Sequence, residues 1–317
     1  MYICSESLIG EIGMENIIEI KNLYKAFGEV KAVSDLSFSV KRGEFFAFLG
    51  ENGAGKSTTI SIISSQLEKD SGEVLVSGLP VENFNEDIAR KLGIVFQSSG
   101  LDGAISVRDN LVSRAALYGI VGEEFEKRLL ELSERLGFEK LLNRTVGKLS
   151  GGERRRIDIA RAVFHKPEIL ILDEPTTGLD PQTRRLLWDF IYSERDNTGL
   201  TVFLTTHYME EAAEADYVVI LDGGRVAAEG TPIELKDKYT GDFLMLYGGS
   251  EEEIKALCRP YIFTNNGWKI NLKDTAEATE MILKCPQLFT NYEIIKGKMD
   301  DVFLAVTGKK LSGGEEK

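Results

Sequence analysis

Residues 50–57, Gly-Glu-Asn-Gly-Ala-Gly-Lys-Ser, carry the spacing G-x-x-x-x-G-K-S. That spacing belongs to a loop whose backbone N–H groups cradle phosphate oxygens. The glycines let amides turn toward a β-phosphate, and the start of the following helix adds positive potential. Lys56 can bring a cation to the β- and γ-phosphate oxygens, and the Ser57 hydroxyl can coordinate Mg²⁺. A second constellation lies at residues 169–174, Ile-Leu-Ile-Leu-Asp-Glu. It reads as an apolar strand that delivers two adjacent carboxylates to the edge where α/β proteins bind ligands. Asp173 would hold Mg²⁺ through water. Glu174, pointing the other way, could accept a proton from water attacking a γ-phosphate. An acidic strand end before Pro175 is a common turn when it stands alone; its weight here comes from the loop at 50–57. In a third segment, Leu149-Ser150-Gly151-Gly152-Glu153 precedes the helix-forming stretch 154–163. Ser150 and the glycine amides then sit at an anion-attracting helix start.

These groups need elements to hold them. Residues 17–48 alternate apolar and polar, with turns at Phe27-Gly28 and Lys41-Arg42-Gly43, and the run 45–49 reads as a buried strand. The phosphate loop follows, then a helix over 56–67. Charged clusters between leucines make 107–142 helical, and the helical subdomain is expected over about 98–165. Short β-rich runs at 169–172, 201–205 and 217–221, with a helix near 184–195, describe parallel α/β winding. The nucleotide unit is expected over 15–240. Residues 241–308 read as a small α+β unit: a strand at 243–246, a helix from the Ser250 capping box to Cys258, a hairpin turning at Asn266-Gly267, a helix over 274–284 and a strand near 288–295. That β-α-β-β-α-β order is ferredoxin-like, with a last helix at 299–306. Residues 1–14 are expected to be an N-terminal extension, with Met14 a rival start. Residues 309–317 are expected to be a flexible tail: Leu311-Ser312-Gly313-Gly314-Glu315 repeats the earlier pentapeptide, but too little chain follows to form a helix behind it.

The chain has 317 residues, 43% hydrophobic and 28% charged, enough for one large domain or two ordinary ones. A net charge of −13 opposes a nucleic-acid partner. The apolar runs are strand-sized, far short of a membrane span. Residues 1–13 carry Glu6 and Glu11 and no Lys or Arg, the wrong charge for a secretory signal. Cys4, Cys258 and Cys285 show no C-x-x-C spacing, and a reducing cytosol fits them. His165, before Lys166-Pro167, reads as structural.

Taken in order, the motifs are the phosphate loop, Gln97 after Ile94-Val95-Phe96, Leu-Ser-Gly-Gly-Glu, Asp173-Glu174, Gly178-Leu179-Asp180 and His207. Over about residues 15–240 the chain resembles the nucleotide-binding subunit of an ABC transporter. The resemblance implies an α/β P-loop NTPase of ABC type with a helical subdomain, using ATP and Mg²⁺. It implies a nucleotide set of Phe27, Gly50, Asn52, Gly53, Gly55, Lys56, Ser57 and Thr58, with Phe27 stacking on adenine and Tyr24 as a rival. Glu174, His207 and Gln97 would serve hydrolysis, and Ser57, Gln97 and Asp173 would hold Mg²⁺. Two ATPase subunits, a homodimer or a pair, would share each site, with Ser150, Gly151, Gly152 and Asp180 reaching it from the second protomer. The ending Met299-Asp300-Asp301-Val302-Phe303-Leu304 with Thr307-Gly308 resembles drug- and lipid-export ATPases of the daunorubicin-resistance type. Export through a separate integral membrane permease, from the cytoplasmic face of the membrane, is therefore expected. Leu101, in the loop 98–102 after Gln97, is expected to be an exposed apolar contact for that permease. A soluble ABC-type ATPase acting on DNA or ribosomes is the alternative; its coiled coils, zinc cysteines or basic linker are missing from this sequence.

Overall fold

The computed structural model describes residues 15–83 and 86–308. The expected N-terminal extension, the Met14 start and the tail with the second pentapeptide lie outside the described residues. The chain opens with β1 (Asn16–Phe27) and β2 (Val30–Lys41), a hairpin turned at Gly28, and then enters β3 (Phe45–Gly50). Every residue of β3 is buried, as expected of a strand covered on both faces. Helix α1 (Lys56–Ile63) is shorter than the expected 56–67, because Ser64 caps it and Ser65 turns left-handed at φ 56°. Next come β4 (Ser71–Val76), β5 (Leu79–Pro80), α2 (Glu86–Lys91) and β6 (Leu92–Val95). The helical region follows as α3 (Val107–Ala116), α4 (Gly122–Leu136) and α5 (Gly151–Val163).

The chain then alternates β7 (Ile169–Asp173), α6 (Pro181–Thr198), β8 (Thr201–Thr206), α7 (Met209–Ala213) and β9 (Tyr217–Asp222). It closes this part with β10 (Arg225–Gly230) and α8 (Pro232–Tyr239). One sheet runs β2-β1-β4-β5, all antiparallel. The larger sheet runs β10-β9-β3-β8-β7-β6, parallel from β9 to β6. The two-residue period of its strands divides them between two cores. Phe46, Phe48, Ile169, Ile171 and Phe203 face the antiparallel sheet, while Ala47, Leu49, Leu170, Leu172, Val202 and Leu204 face the helices α3–α6. This is the expected α/β fold of parallel winding.

Residues beyond α8 form β11 (Asp242–Leu246), α9 (Glu251–Lys255), β12 (Tyr261–Thr264), β13 (Gly267–Leu272), α10 (Thr275–Lys284) and β14 (Tyr292–Lys296). The sheet order β12-β13-β11-β14, antiparallel throughout, is the ferredoxin-like split arrangement. Three details differ from expectation. The hairpin turns at Asn265-Asn266, and Gly267 opens β13 opposite Thr264. Helix α9 stops before Cys258, whose φ of 53° cannot continue it. The last strand starts at Tyr292, because the backbone turns Leu288→Cys285 and Phe289→Pro286 occupy the chain before it. The final helix, α11 (Met299–Thr307), leaves this sheet altogether. Its Met299, Val302 and Phe303 enter the helix-side core of the first unit with Leu235 and Ala228. Gly297 permits the return: a Cβ there would collide with Thr240.

Candidate functional site

The C-terminal ends of β3, β7 and β8 lie side by side, and the loops leaving them carry the motifs. Gly55, at φ 106°, starts α1 pressed against β2: a Cβ there would stand 2.5 Å from the Ala32 carbonyl oxygen. This contact sets the phosphate loop beside the β1–β2 hairpin. Lys56 is buried and turned onto its own loop, with Nζ donating to the Gly50 carbonyl at 2.6 Å and the Glu51 carbonyl at 3.0 Å. Burial lowers its pKa, opposed by the charges of Glu174, Asp173 and Glu51. Asn52, Gly53 and Ser57 are exposed around it, and Thr58 is half-buried.

Glu174 is the node of the site. Its Oε1 lies 3.9 Å from Lys56 Nζ. Gln97 Nε2 donates to its Oε2 at 3.3 Å, and the Thr177 hydroxyl donates to the same oxygen at 3.4 Å. His207 Nδ1 stands 3.3 Å from Oε1 without hydrogen-bond alignment. The backbone of Glu174 is left-handed, φ 46°, and its N–H donates to the Thr205 carbonyl at 3.0 Å. The Thr205 hydroxyl donates to Asp173 Oδ1 at 2.6 Å, so one β8 threonine anchors both carboxylate residues. Lys56, Gln97, Asp173, Glu174 and His207 are thus brought together. The arrangement offers a cation for phosphate oxygens and a buried carboxylate base.

The other sequence candidates sit apart from that node. Ser150 caps α5 in a box with Glu153, donating its N–H to Glu153 Oε2 at 2.8 Å and accepting from Glu153 N–H at 3.2 Å. Ser150 and Gly151 are exposed, and among the described residues Ser150 bonds to Glu153 and not to Lys56 or Ser57. Asp180 caps α6, accepting from the Thr183 N–H at 2.9 Å and hydroxyl at 2.7 Å, which holds its carboxyl below the usual range. Gly152 packs so close that a Cβ would stand 3.2 Å from Thr183 Oγ1. A cleft of about 240 Å³ separates the two groups, lined by Gln97, Ser99, Gly151, Arg155, Glu174 and Gly178. Phe27 ends β1 with 51% of its surface exposed and Lys25 Nζ 5.7 Å from its ring centre, whereas Tyr24 is half-buried in the sheet. His165 stacks on Tyr118 at 3.8 Å, away from the site. Leu101 is not the exposed contact expected of it: it is half-buried against the helix-side core.

Residues 33–177 match the ABC transporter family. The Nod factor export ATP-binding protein I of Rhizobium etli is 35% identical over 309 residues, 93% of this chain and 94% of that protein. The chain belongs to the ABC transporter ATP-binding family. It is an ATPase and binds ATP. The linearmycin resistance ATP-binding protein LnrL of Bacillus subtilis is 39% identical over 230 residues, 72% of this chain and 74% of that protein. Among solved structures, cbiO1 from Clostridium perfringens, part of an ABC transporter complex, matches with TM-score 0.63 and 29% identity, over 71% of this chain and 92% of that one. A dimeric ATP-binding cassette in a post-hydrolysis state, bound to ADP and Pi, gives TM-score 0.63 and 29% identity, covering 68% and 98%.

One residue of this ABC ATPase escaped the sequence reading. Arg155, buried on α5, donates from Nε to the Pro175 carbonyl at 2.7 Å, from Nη1 to Phe96 at 2.6 Å, and from Nη2 to Asp173 at 3.0 Å and Glu174 at 2.8 Å. Within Arg154-Arg155-Arg156 it looks like one more solvated charge. The available signal was its helix face, since Asp158, Ile159 and Ala162, three, four and seven residues on, are buried.

Proposed function

We propose that this ATPase is the engine of an export system, working as one of two paired subunits, identical or paralogous, against a separate integral membrane permease at the cytoplasmic face of the membrane. The likeness to a Nod factor export ATP-binding protein and to a linearmycin resistance ATP-binding protein supports export. Among the described residues no helix is long and apolar enough to cross a membrane, which supports a peripheral subunit. The observation that carries the chemistry is the convergence of Lys56, Gln97 and His207 on Glu174.

In this reading Lys56 exchanges its loop carbonyls for the β- and γ-phosphate oxygens of ATP, and the amides of Gly50, Asn52, Gly53, Gly55, Ser57 and Thr58 wrap the phosphates. Phe27 stacks on adenine. Glu174 takes the proton of the attacking water, while Gln97 orients that water and His207 hydrogen-bonds the γ-phosphate. Ser150, Gly151, Gly152 and Asp180 close the site from the second protomer, where the exposed start of α5 presents N–H groups to phosphate. The donors near Lys56 fit Mg²⁺: Ser57, Gln97 and Asp173 are hard oxygen ligands. Mg²⁺ held there would neutralise charge on the β- and γ-phosphates.

Two variants separate binding from turnover. Glu174→Gln should lower kcat by about 10²–10⁴-fold at near wild-type ATP affinity, whereas Lys56→Ala should weaken ATP binding itself. Wild-type hydrolysis by Glu174→Gln would remove the base assignment. Recovery of the chain from detergent extracts with nucleic acid and without a membrane subunit would remove the transporter reading.

A further inference from the structure

We propose that Arg155 is a positioning residue for hydrolysis: it sets the orientation of Glu174 and makes that orientation depend on where helix α5 stands. The inference rests on the reading of Glu174 as general base. Four of the five guanidinium N–H groups are spent on backbone carbonyls, those of Phe96, Asp173, Glu174 and Pro175. Those four carbonyls belong to two separate loops. One is the turn that aims Glu174; the other is the residue immediately before Gln97. A charged side chain, buried and hydrogen-bonded only to neutral carbonyls, is an expensive way to fill a core. What it supplies is geometry. Glu174 is held left-handed at φ 46°, a conformation a non-glycine residue keeps only when its surroundings impose it. Its N–H is fixed by the Thr205 carbonyl at 3.0 Å and its C=O by Arg155 at 2.8 Å, so both flanking peptides are pinned.

The pin on the C=O side stands on a different element from the pin on the N–H side. Arg155 lies in the second turn of the helix that Ser150 caps. A shift of that helix, as when its exposed start meets a nucleotide on the second protomer, moves the guanidinium and with it the Glu174 peptide and the Phe96 carbonyl. Arg161 strengthens the linkage, donating from Nη2 to the Ile94 carbonyl at 3.1 Å, so that the strand leading into the Gln97 loop is fastened to the same helix. Arg156 serves another contact, the Leu136 and Gly137 carbonyls at the end of α4, which leaves Arg155 as the member of the arginine run that reaches the carboxylates' backbone.

The test measures kcat and KM for ATP of the full chain carrying Arg155→Gln or Arg155→Lys, each alone and with Glu174→Gln, beside thermal unfolding of every variant. Arg155→Gln should lower kcat by about tenfold to a hundredfold, the scale of a small misplacement of a reacting group, with KM within about twofold because Arg155 does not touch nucleotide. Arg155→Lys, which keeps a cation but reaches fewer carbonyls, should recover part of the rate, and it carries the test if Arg155→Gln does not fold. On the Glu174→Gln background neither change should lower the residual rate further, since both act through one carboxylate. Unchanged kcat in a folded Arg155→Gln and Arg155→Lys pair would overturn the inference, as would a rise in KM alone or a full multiplicative loss in the double variants. Wild-type turnover by Glu174→Gln would overturn the base assignment and the inference together; an inactive Glu174→Gln beside a fully active Arg155→Gln would overturn the inference alone.

Discussion

The six-stranded sheet and the C-terminal four-stranded sheet solve opposite problems. In the first, β3, β7 and β8 are buried on both faces, so their ends are held rigidly and can aim Lys56, Asp173 and Glu174 into one small space. In the second, only the central strand β11 is buried along its whole length: Ile254, Ala278 and Met281 pack on Leu244, Leu246, Ile270 and Leu272 from one side, while Ile262 and Phe263 of the edge strand β12 stay exposed. The candidate site residues Lys56, Asp173 and Glu174 stand at the ends of the enclosed strands, and the sheet with an exposed edge carries none of them. Helix α11 ties the two together by burying its apolar side in the first core.

The largest effect should come from that tie. Phe303→Ala removes a side chain with 1% exposure from the helix-side core and should cost about 3–5 kcal/mol, lowering the melting temperature of the nucleotide unit itself. A melting transition that keeps its ATP-dependent shift and midpoint would show that α11 belongs to the small sheet. Leu244→Ala, in the smaller core, should cost about 2–4 kcal/mol in that unit while ATP turnover stays within about twofold. Loss of turnover in parallel with unfolding of the small sheet would break the distinction between the two regions.

A smaller effect depends on pH. Burial, with Arg114 next, pushes His165 down from its ordinary 6.5 to about 4. The unfolded chain therefore binds a proton that the folded chain refuses, and stability should fall as pH drops from about 6.5 toward about 4. His165→Phe, which keeps a ring against Tyr118, should flatten that part of a melting-temperature profile; an unchanged slope would place the acid sensitivity elsewhere.

Local features were legible and distant ones were not. The phosphate loop, the helix start at Ser150, the Ser250 capping box and the order of the ferredoxin-like strands follow from residues close together in sequence, where turn and cap chemistry decides. The exit of α11 was not legible, because the partners of Met299, Val302 and Phe303 are Leu235 and Ala228, far back in the chain. Leu101 was misjudged for the same reason: a loop leucine looks exposed until the core beneath it is known. Arg155 was hidden by the arginine run around it, since its four partners are backbone carbonyls and only the helix face it shares with Ile159 and Ala162 marks it.

In the proposed function the enclosed sheet edge becomes a complete ATP site only when a second protomer adds Ser150, Gly151 and Gly152. Sedimentation of Glu174→Gln with and without ATP tests it most directly, because a chain that binds ATP but cannot split it should accumulate in the closed pair. Without nucleotide the variant should sediment as a monomer or a weakly associating chain, and with ATP as a stable dimer that Ser150→Arg abolishes. A chain with ATP bound that sediments as a monomer, or a dimer indifferent to Ser150→Arg, would contradict it.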